Sequence, residues 1–152
     1  MNDMIEKLRL TVGEVLSPDL LRKDWRLRME KEHHTYGHCY VAAEALYHLI
    51  GGIESVFEPR YAKYYDKDDQ CWCTHWWLYS SKLKSIYDPT KEQYTFCGVE
   101  PPYHNKRTSG FLTKHPSKRA VIVMNRVKEK IGCEIVDKIK DFYKNKNNFF
   151  DE

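Results

Sequence analysis

No stretch of this 152-residue chain approaches the roughly 18 consecutive apolar residues of a membrane span, so no membrane partner is expected. An excess of one charge is missing too. Against 25 Lys and Arg stand 22 Asp and Glu, for a net charge of +3. Nucleic-acid binders usually carry a larger basic excess gathered on one face, so that class is disfavoured. A disulfide framework is also lacking. The five cysteines, Cys39, Cys71, Cys73, Cys97 and Cys133, are odd in number, and the opening MNDMIEKLRL has acidic residues where a signal peptide has an apolar core. The expectation is a cytoplasmic protein with reduced thiols, each one core, metal ligand or nucleophile. There is no internal repeat and no flexible linker. The length then reads as a single domain over 1–152, large enough to bury a core without metals or disulfides. What the chain does have is aromatic residues, 14% of the total with eleven Tyr and four Trp. Such side chains wall concave sites as well as filling cores.

Periodicity divides the chain into elements. Met4, Ile5, Leu8, Val12, Val15 and Leu16 predict a helix over 3–16. Ser17-Pro18 reads as a helix start, with Ser17 as N-cap and a short helix running to about Arg28. A polar loop follows and ends in Gly37. Cys39, Ala42, Ala43, Leu46, Leu49 and Ile50 then form one apolar helix face, closed by Gly51-Gly52, so Cys39 sits in the first turn and faces inward. Ser55–Tyr65 holds a strand, and Cys71–Tyr79 and Leu83–Asp88 are two more. Phe96–Gly110 is a loop or sheet edge. Pro116-Ser117 opens a helix to about Ile131, a second amphipathic stretch covers Glu134 to Lys144, and the tail 145–152 is expected to fray. The fold class is α+β: a central helix packed on a small antiparallel sheet, flanked by N- and C-terminal helices.

A turn centred between Ser81 and Lys82 places His75 directly opposite Asp88, with Trp77 opposite Ile86 and Tyr79 opposite Lys84. Directly paired side chains share a face, with Cβ atoms roughly 4.5–5.5 Å apart, close enough for an imidazole and a carboxylate to hydrogen-bond. A one-residue slip would separate them. These residue types suit nucleophilic chemistry. The thiolate is the attacking form of cysteine, and a helix N-terminus and an imidazolium both favour it. A carboxylate on the far ring nitrogen fixes the imidazole, and unpaired first-turn N–H groups can hold an oxyanion. Cys39, His75 and Asp88 are therefore the candidate nucleophile, base and orienter.

The run GHCYVAAEALYHLIGG resembles the nucleophile helix of the transglutaminase-like branch of the papain superfamily. THWWL resembles that family's His-x-Trp strand, IYDPT resembles its Asp-Pro-Thr strand end, and the order Cys, His, Asp agrees. The match covers about residues 36–92. It implies a papain/transglutaminase-like fold, a Cys39–His75–Asp88 triad with no cofactor, and a range of reactions on a protein or small-molecule substrate: peptide or amide hydrolysis, amide transfer, deamidation or acyl transfer. Some relatives of that kind have lost catalysis. Papain-like proteases often place a Gln shortly before the cysteine as oxyanion donor; here the preceding residues run from His33 to His38 without one, leaving backbone N–H groups, Tyr36 or His38 for that task. The whole chain is also similar to small proteins of tailed bacteriophages that carry a GHCY helix and a segment like GFLTKHPSKRA, which implies a phage origin and a host target.

Rival readings attach to the same residues. A non-catalytic phage-encoded binding or inhibitor protein would keep the fold and expose aromatics without thiol reactivity. A structural zinc site would use Cys71, Cys73 and His75, which alternate on one strand face, with Cys39, His38 or Cys97; the spacing departs from the usual C-x₂₋₄-C pairs. Trp77 is a candidate cleft wall. Lys114, Lys118 and Arg119 surround a helix start and could bind an anionic substrate group. The His33-His34 pair is expected to be solvated.

Overall fold

The 3.6-residue periods become helices, and their apolar faces meet at one core. The structure is a computed structural model that describes residues 2–26 and 33–149. Helix α1 spans Asn2–Glu14 and buries Ile5, Leu8 and Val12, one residue per turn. Helix α2, Cys39–Leu49, is buried almost all round through Val41, Ala42, Ala43, Ala45, Leu46 and Leu49, and its small residues let neighbouring elements approach closely. Its end is set by Gly51, whose φ of +115° suits a residue without a Cβ. After the single turn α3 (Glu92–Thr95), helices α4 (Lys118–Ile131) and α5 (Cys133–Lys144) pack Val123, Val127, Val136, Ile139 and Tyr143 onto the same core. Ser117 caps α4 by accepting the Ala120 N–H, and Glu44, buried on α2, accepts both the N–H and the hydroxyl of Ser117 at 2.9 and 2.7 Å. A buried carboxylate at a helix N-terminus thus locks α2 to α4. Among the described residues no helix is long and apolar enough to cross a membrane.

Four strands, β1 (Glu58–Asp66), β2 (Cys71–Ser80), β3 (Ser85–Tyr87) and β4 (Lys106–Thr108), form one antiparallel sheet in the order β3-β2-β1-β4. The class is therefore α+β with a small antiparallel sheet. β4 lies inside the segment expected to be loop or edge, and it is an edge strand with three exposed residues. Leu78 and Tyr87 carry the sheet's share of the core, and Phe57, just before β1, packs beside them.

Three local expectations differ from the structure. Ser17 does sit at the N-cap of a helical start, but its hydroxyl bonds Asp19 instead of a backbone N–H. The start is only a 3-10 turn, Pro18–Leu20, followed by helical residues 23–26. The expected end near Arg28 lies outside the described residues. The tail is packed as far as Phe149: Lys146–Phe149 form a 3-10 turn, and the Phe149 ring stacks on Tyr143 because aromatic burial outweighs terminal fraying. The β2–β3 turn is centred between Lys82 and Leu83, one residue later than expected, so pairs run Tyr79↔Ile86 and Leu78↔Tyr87. The reason is local: Lys84 takes φ +51°, the Ser80 hydroxyl accepts the Leu83 N–H, and the Ser85 hydroxyl donates to the Leu83 carbonyl. This shifts every pair by two residues and so leaves every side chain on its expected face.

Candidate active site

Asp88 follows the last residue of β3, and continuing the register sets it across from Trp77, diagonal to His75. Diagonal neighbours on one face are within reach of long side chains. The His75 Nε2 lies 2.6 Å from Asp88 Oδ2, with both side chains fully buried. The Asp88 carboxylate divides its oxygens between two tasks. Oδ2 faces His75 and also accepts the Tyr103 hydroxyl at 2.7 Å; Oδ1 accepts the Thr90 N–H at 3.0 Å and the more distant Thr90 hydroxyl. The second set is the Asx-type turn that an Asp-Pro-Thr sequence favours. Helix α1 supports the turn from behind. Buried Arg9 donates to the Asp88 carbonyl at 2.9 Å while pairing with Glu92 and Glu6. Gly13 lies so close that a Cβ there would stand 2.7 Å from the Pro89 carbonyl oxygen.

The charges follow from these contacts. Burial works against a charged His75 ring, but the Asp88 carboxylate and its hydrogen bond more than offset it, with a further contribution from the Cys39 sulfur. The ring's pKa is pushed up to about 10. Burial likewise opposes the Asp88 charge, and the imidazolium, Tyr103 and the Thr90 N–H together hold the carboxyl below its ordinary range. Tyr94 stands edge-on to the His75 ring at 4.8 Å and shares a 2.9 Å hydroxyl–hydroxyl bond with Tyr64.

Cys39 is the first residue of α2 and is half-buried. Its sulfur donates to the Thr74 carbonyl at 3.5 Å, where β2 runs on past the last residue that β3 pairs. With Nε2 committed to Asp88, the ring nitrogen left for Cys39 is Nδ1, which is buried and has no hydrogen-bond partner among the described residues. The thiol is therefore beside the imidazole but turned to the strand backbone. Among the described residues no side chain caps α2, so none of them covers its first N–H groups with a side-chain acceptor. The preceding Gly37 has φ +78°, and a Cβ there would meet the Trp25 ring at 3.3 Å and Leu21 at 3.4 Å. A glycine is needed to bring the chain into the helix at this point.

The chain matches no family model, no curated protein and no solved structure. Function must be read from the site itself. Cys39 opens onto a cleft of about 710 Å³ walled by Trp25, Tyr36, Tyr40, Tyr64, Trp72 and Tyr94, with Gln93 and Arg119 among its polar groups. Of the candidates singled out from sequence, Tyr36 and Arg119 line this cleft with Cys39, while His75 and Asp88 lie buried together behind it. Tyr36 also reaches Asp69 through its hydroxyl, and Arg119 donates to the Leu20 carbonyl.

Three candidates are placed elsewhere. His38 is fully buried, with Nδ1 and Nε2 each 3.0 Å from a carbonyl, those of Tyr36 and Ser17; it pins the loop before Cys39 to the 3-10 turn and does not face the cleft. Trp77 lies on the His75 side as alternation requires, but it is buried, stacked on His75 and covered by Tyr103. Lys118 is exposed and outside the cleft lining, because the α4 start points it away.

Among the described residues no three His, Cys, Asp or Glu side chains converge as metal ligands, and His75, central to the zinc reading, gives Nε2 to Asp88. The vicinal histidines are not simply solvated: His33 bonds Thr35, and His34 lies 3.2 Å from the Gly13 carbonyl. Sequence reasoning missed Tyr103, Arg9, Tyr64 and Tyr94. Tyr103 follows Pro101-Pro102 in an aperiodic segment, and Arg9 sits on the same helix as three buried aliphatics; neither position carries a spacing signal.

Proposed function

We propose that this protein is a cysteine-dependent acyl-group enzyme, cleaving or transferring amide, peptide or other acyl groups through Cys39, His75 and Asp88 on a papain/transglutaminase-like fold. The observation that carries this reading is the buried His75–Asp88 pair, with Nδ1 left unpartnered on the side available to Cys39. A ring held cationic through neutral pH favours a thiolate beside it. In the reaction the Cys39 sulfur attacks the substrate carbonyl carbon, and the oxyanion forms at the N–H groups of the α2 first turn. His75 Nδ1 gives its proton to the leaving amine or alkoxide as the carbonyl re-forms. The resulting thioester passes its acyl group to water or an amine, whose proton returns to His75. Asp88 keeps the ring oriented throughout. The aromatic cleft suits a protein segment or a small acyl donor, and the likeness to phage proteins supports a host target in the cytoplasm.

Two observations favour a second reading, a binding protein without chemistry. The thiol donates to the Thr74 carbonyl, and Trp72 at the cleft rim is 67% exposed. Alkylation of Cys39 by iodoacetamide as a function of pH, followed by mass spectrometry, separates the two. The enzyme reading expects fast labelling well below pH 8, falling on the order of 100-fold at pH 6.5 in His75→Ala, as for a cysteine at its ordinary pKa of about 8.5. Slow labelling that His75→Ala leaves unchanged means the triad is not assembled.

A further inference from the structure

Three of the five cysteines line one cleft. Cys39 enters from the start of α2, and Cys71 and Cys73 come from β2, on the same strand face as His75. Residues two apart on a strand stand about 6.6 Å apart, so Cys73 and His75 are successive members of one row. The Cys39 sulfur touches the carbonyl of Thr74, the residue between them. The nucleophile is therefore flanked along the strand by an imidazole on one side and a second thiol on the other. Tyr64 pairs directly across from Cys73, and its hydroxyl is pushed up to about 12 by burial first, with both the Cys73 and the Cys39 sulfur adding to the effect; one hydroxyl is near both sulfurs.

We propose that the cleft is also a redox modification site, in which peroxide oxidises Cys39 and Cys73 resolves the product as a Cys39–Cys73 disulfide. The inference rests on Cys39 being the activated nucleophile. The Cys39 thiolate attacks one oxygen of hydrogen peroxide; the S–O bond forms, the O–O bond breaks and hydroxide leaves. The Cys73 thiolate then attacks the Cys39 sulfur; the S–S bond forms, the S–O bond breaks, and the departing hydroxide takes a proton to become water. The two thiols together lose two electrons, and one peroxide becomes two waters. A dithiol reductant reverses the bridge by exchange. The result masks the nucleophile reversibly and keeps it from the irreversible sulfinic step.

Cys71 is the competing partner, since its sulfur lies 3.7 Å from that of Cys73. Strand geometry opposes that bridge. A disulfide needs Cβ atoms about 3.5–4.5 Å apart, whereas same-face neighbours on an extended strand are held nearer 6–7 Å. Cys39 belongs to another element and is not bound by that spacing. Cys97 and Cys133 are exposed, lie outside the cleft lining and serve as internal controls.

The test is hydrogen peroxide treatment of the full chain, followed by intact mass and non-reducing peptide mapping, in wild type, Cys73→Ser and Cys71→Ser. Wild type is expected to lose two hydrogens, to yield a Cys39–Cys73 linked peptide, and to lose iodoacetamide labelling at Cys39 until dithiothreitol restores it. Cys71→Ser should behave the same way. Cys73→Ser should instead accumulate sulfinic Cys39 that dithiothreitol does not restore. A Cys71–Cys73 bridge in wild type, or over-oxidation of Cys39 at equal rates in wild type and Cys73→Ser, overturns the proposal. Labelling of the fully reduced protein keeps the two ideas apart. Fast Cys39 labelling without the bridge sinks only the redox site, whereas slow labelling without it sinks the nucleophile reading as well.

Discussion

The loop that presents Cys39 and the hairpin that ends in Asp88 each bury a histidine completely, and the two rings differ in charge. His38 lies between two backbone carbonyls; His75 lies against a carboxylate. A neutral imidazole donates to only one of the two carbonyls around His38. Yet burial outweighs those contacts and keeps its pKa below the ordinary value. For His75 the same desolvation is overcome by a full negative charge at 2.6 Å. Burial alone does not decide a histidine's role. A dipole holds a ring in place, whereas a buried carboxylate makes it a cation with one nitrogen to spare.

The largest way to break this contrast is Asp88→Asn. Without the carboxylate, His75 should titrate downward as His38 does, and Cys39 labelling by iodoacetamide at pH 6.5 should fall on the order of 100-fold. An unchanged pH profile would show that Asp88 does not set the charge of His75. Tyr103→Phe is expected to act next most strongly. It removes one donor from a buried carboxylate, which costs about 1–3 kcal/mol in urea unfolding. It should also raise the Asp88 pKa. Because that pKa is depressed in the fold, its stabilisation is lost as pH falls through the folded value, and in Tyr103→Phe the loss should begin at a higher pH.

The two histidines also predict opposite limbs of stability against pH. The folded pKa of His75 lies above the unfolded 6.5, so its contribution is complete below 6.5 and is lost as pH rises toward about 10. His38 is depressed, so the unfolded chain takes up the proton first and stability is lost as pH falls below 6.5. Chemical denaturation of His38→Gln should flatten the acid limb, by at most about 1.4 kcal/mol per pH unit for one proton, and leave the alkaline limb in place. The smallest effect is expected for Lys118→Ala. An exposed residue off the cleft should change stability by no more than about 0.5 kcal/mol and leave the labelling rate untouched.

The parts of the site that were legible in sequence are those that depend on local periods. Cys39 heads its helix because Ala42, Ala43, Leu46 and Leu49 repeat at helical spacing behind it. His75 and Asp88 share a face although the turn formed one residue later than expected, since a shift of two in pairing preserves the alternation. Trp77 and His38 show the limit of the same reasoning. Alternation placed Trp77 on the His75 side but could not say that Tyr103 would close over it. Proximity to Cys39 suggested a site role for His38, while its ring turned back to the Ser17 carbonyl.

By itself, then, the amino-acid sequence determined helices α1, α2, α4 and α5, the strand faces, the order of Cys39, His75 and Asp88, and the Asx-type turn at Asp88-Pro89-Thr90. Only the tertiary structure decided what completes the site. Tyr103 reaches Asp88 from 15 residues away and Arg9 from 79, and three thiols meet in one cleft because α2 packs against β2. The physical reason is that helix and strand periods repeat every few residues and are written in neighbouring positions. The partners of a buried charge are chosen by packing between distant elements, where no local period applies.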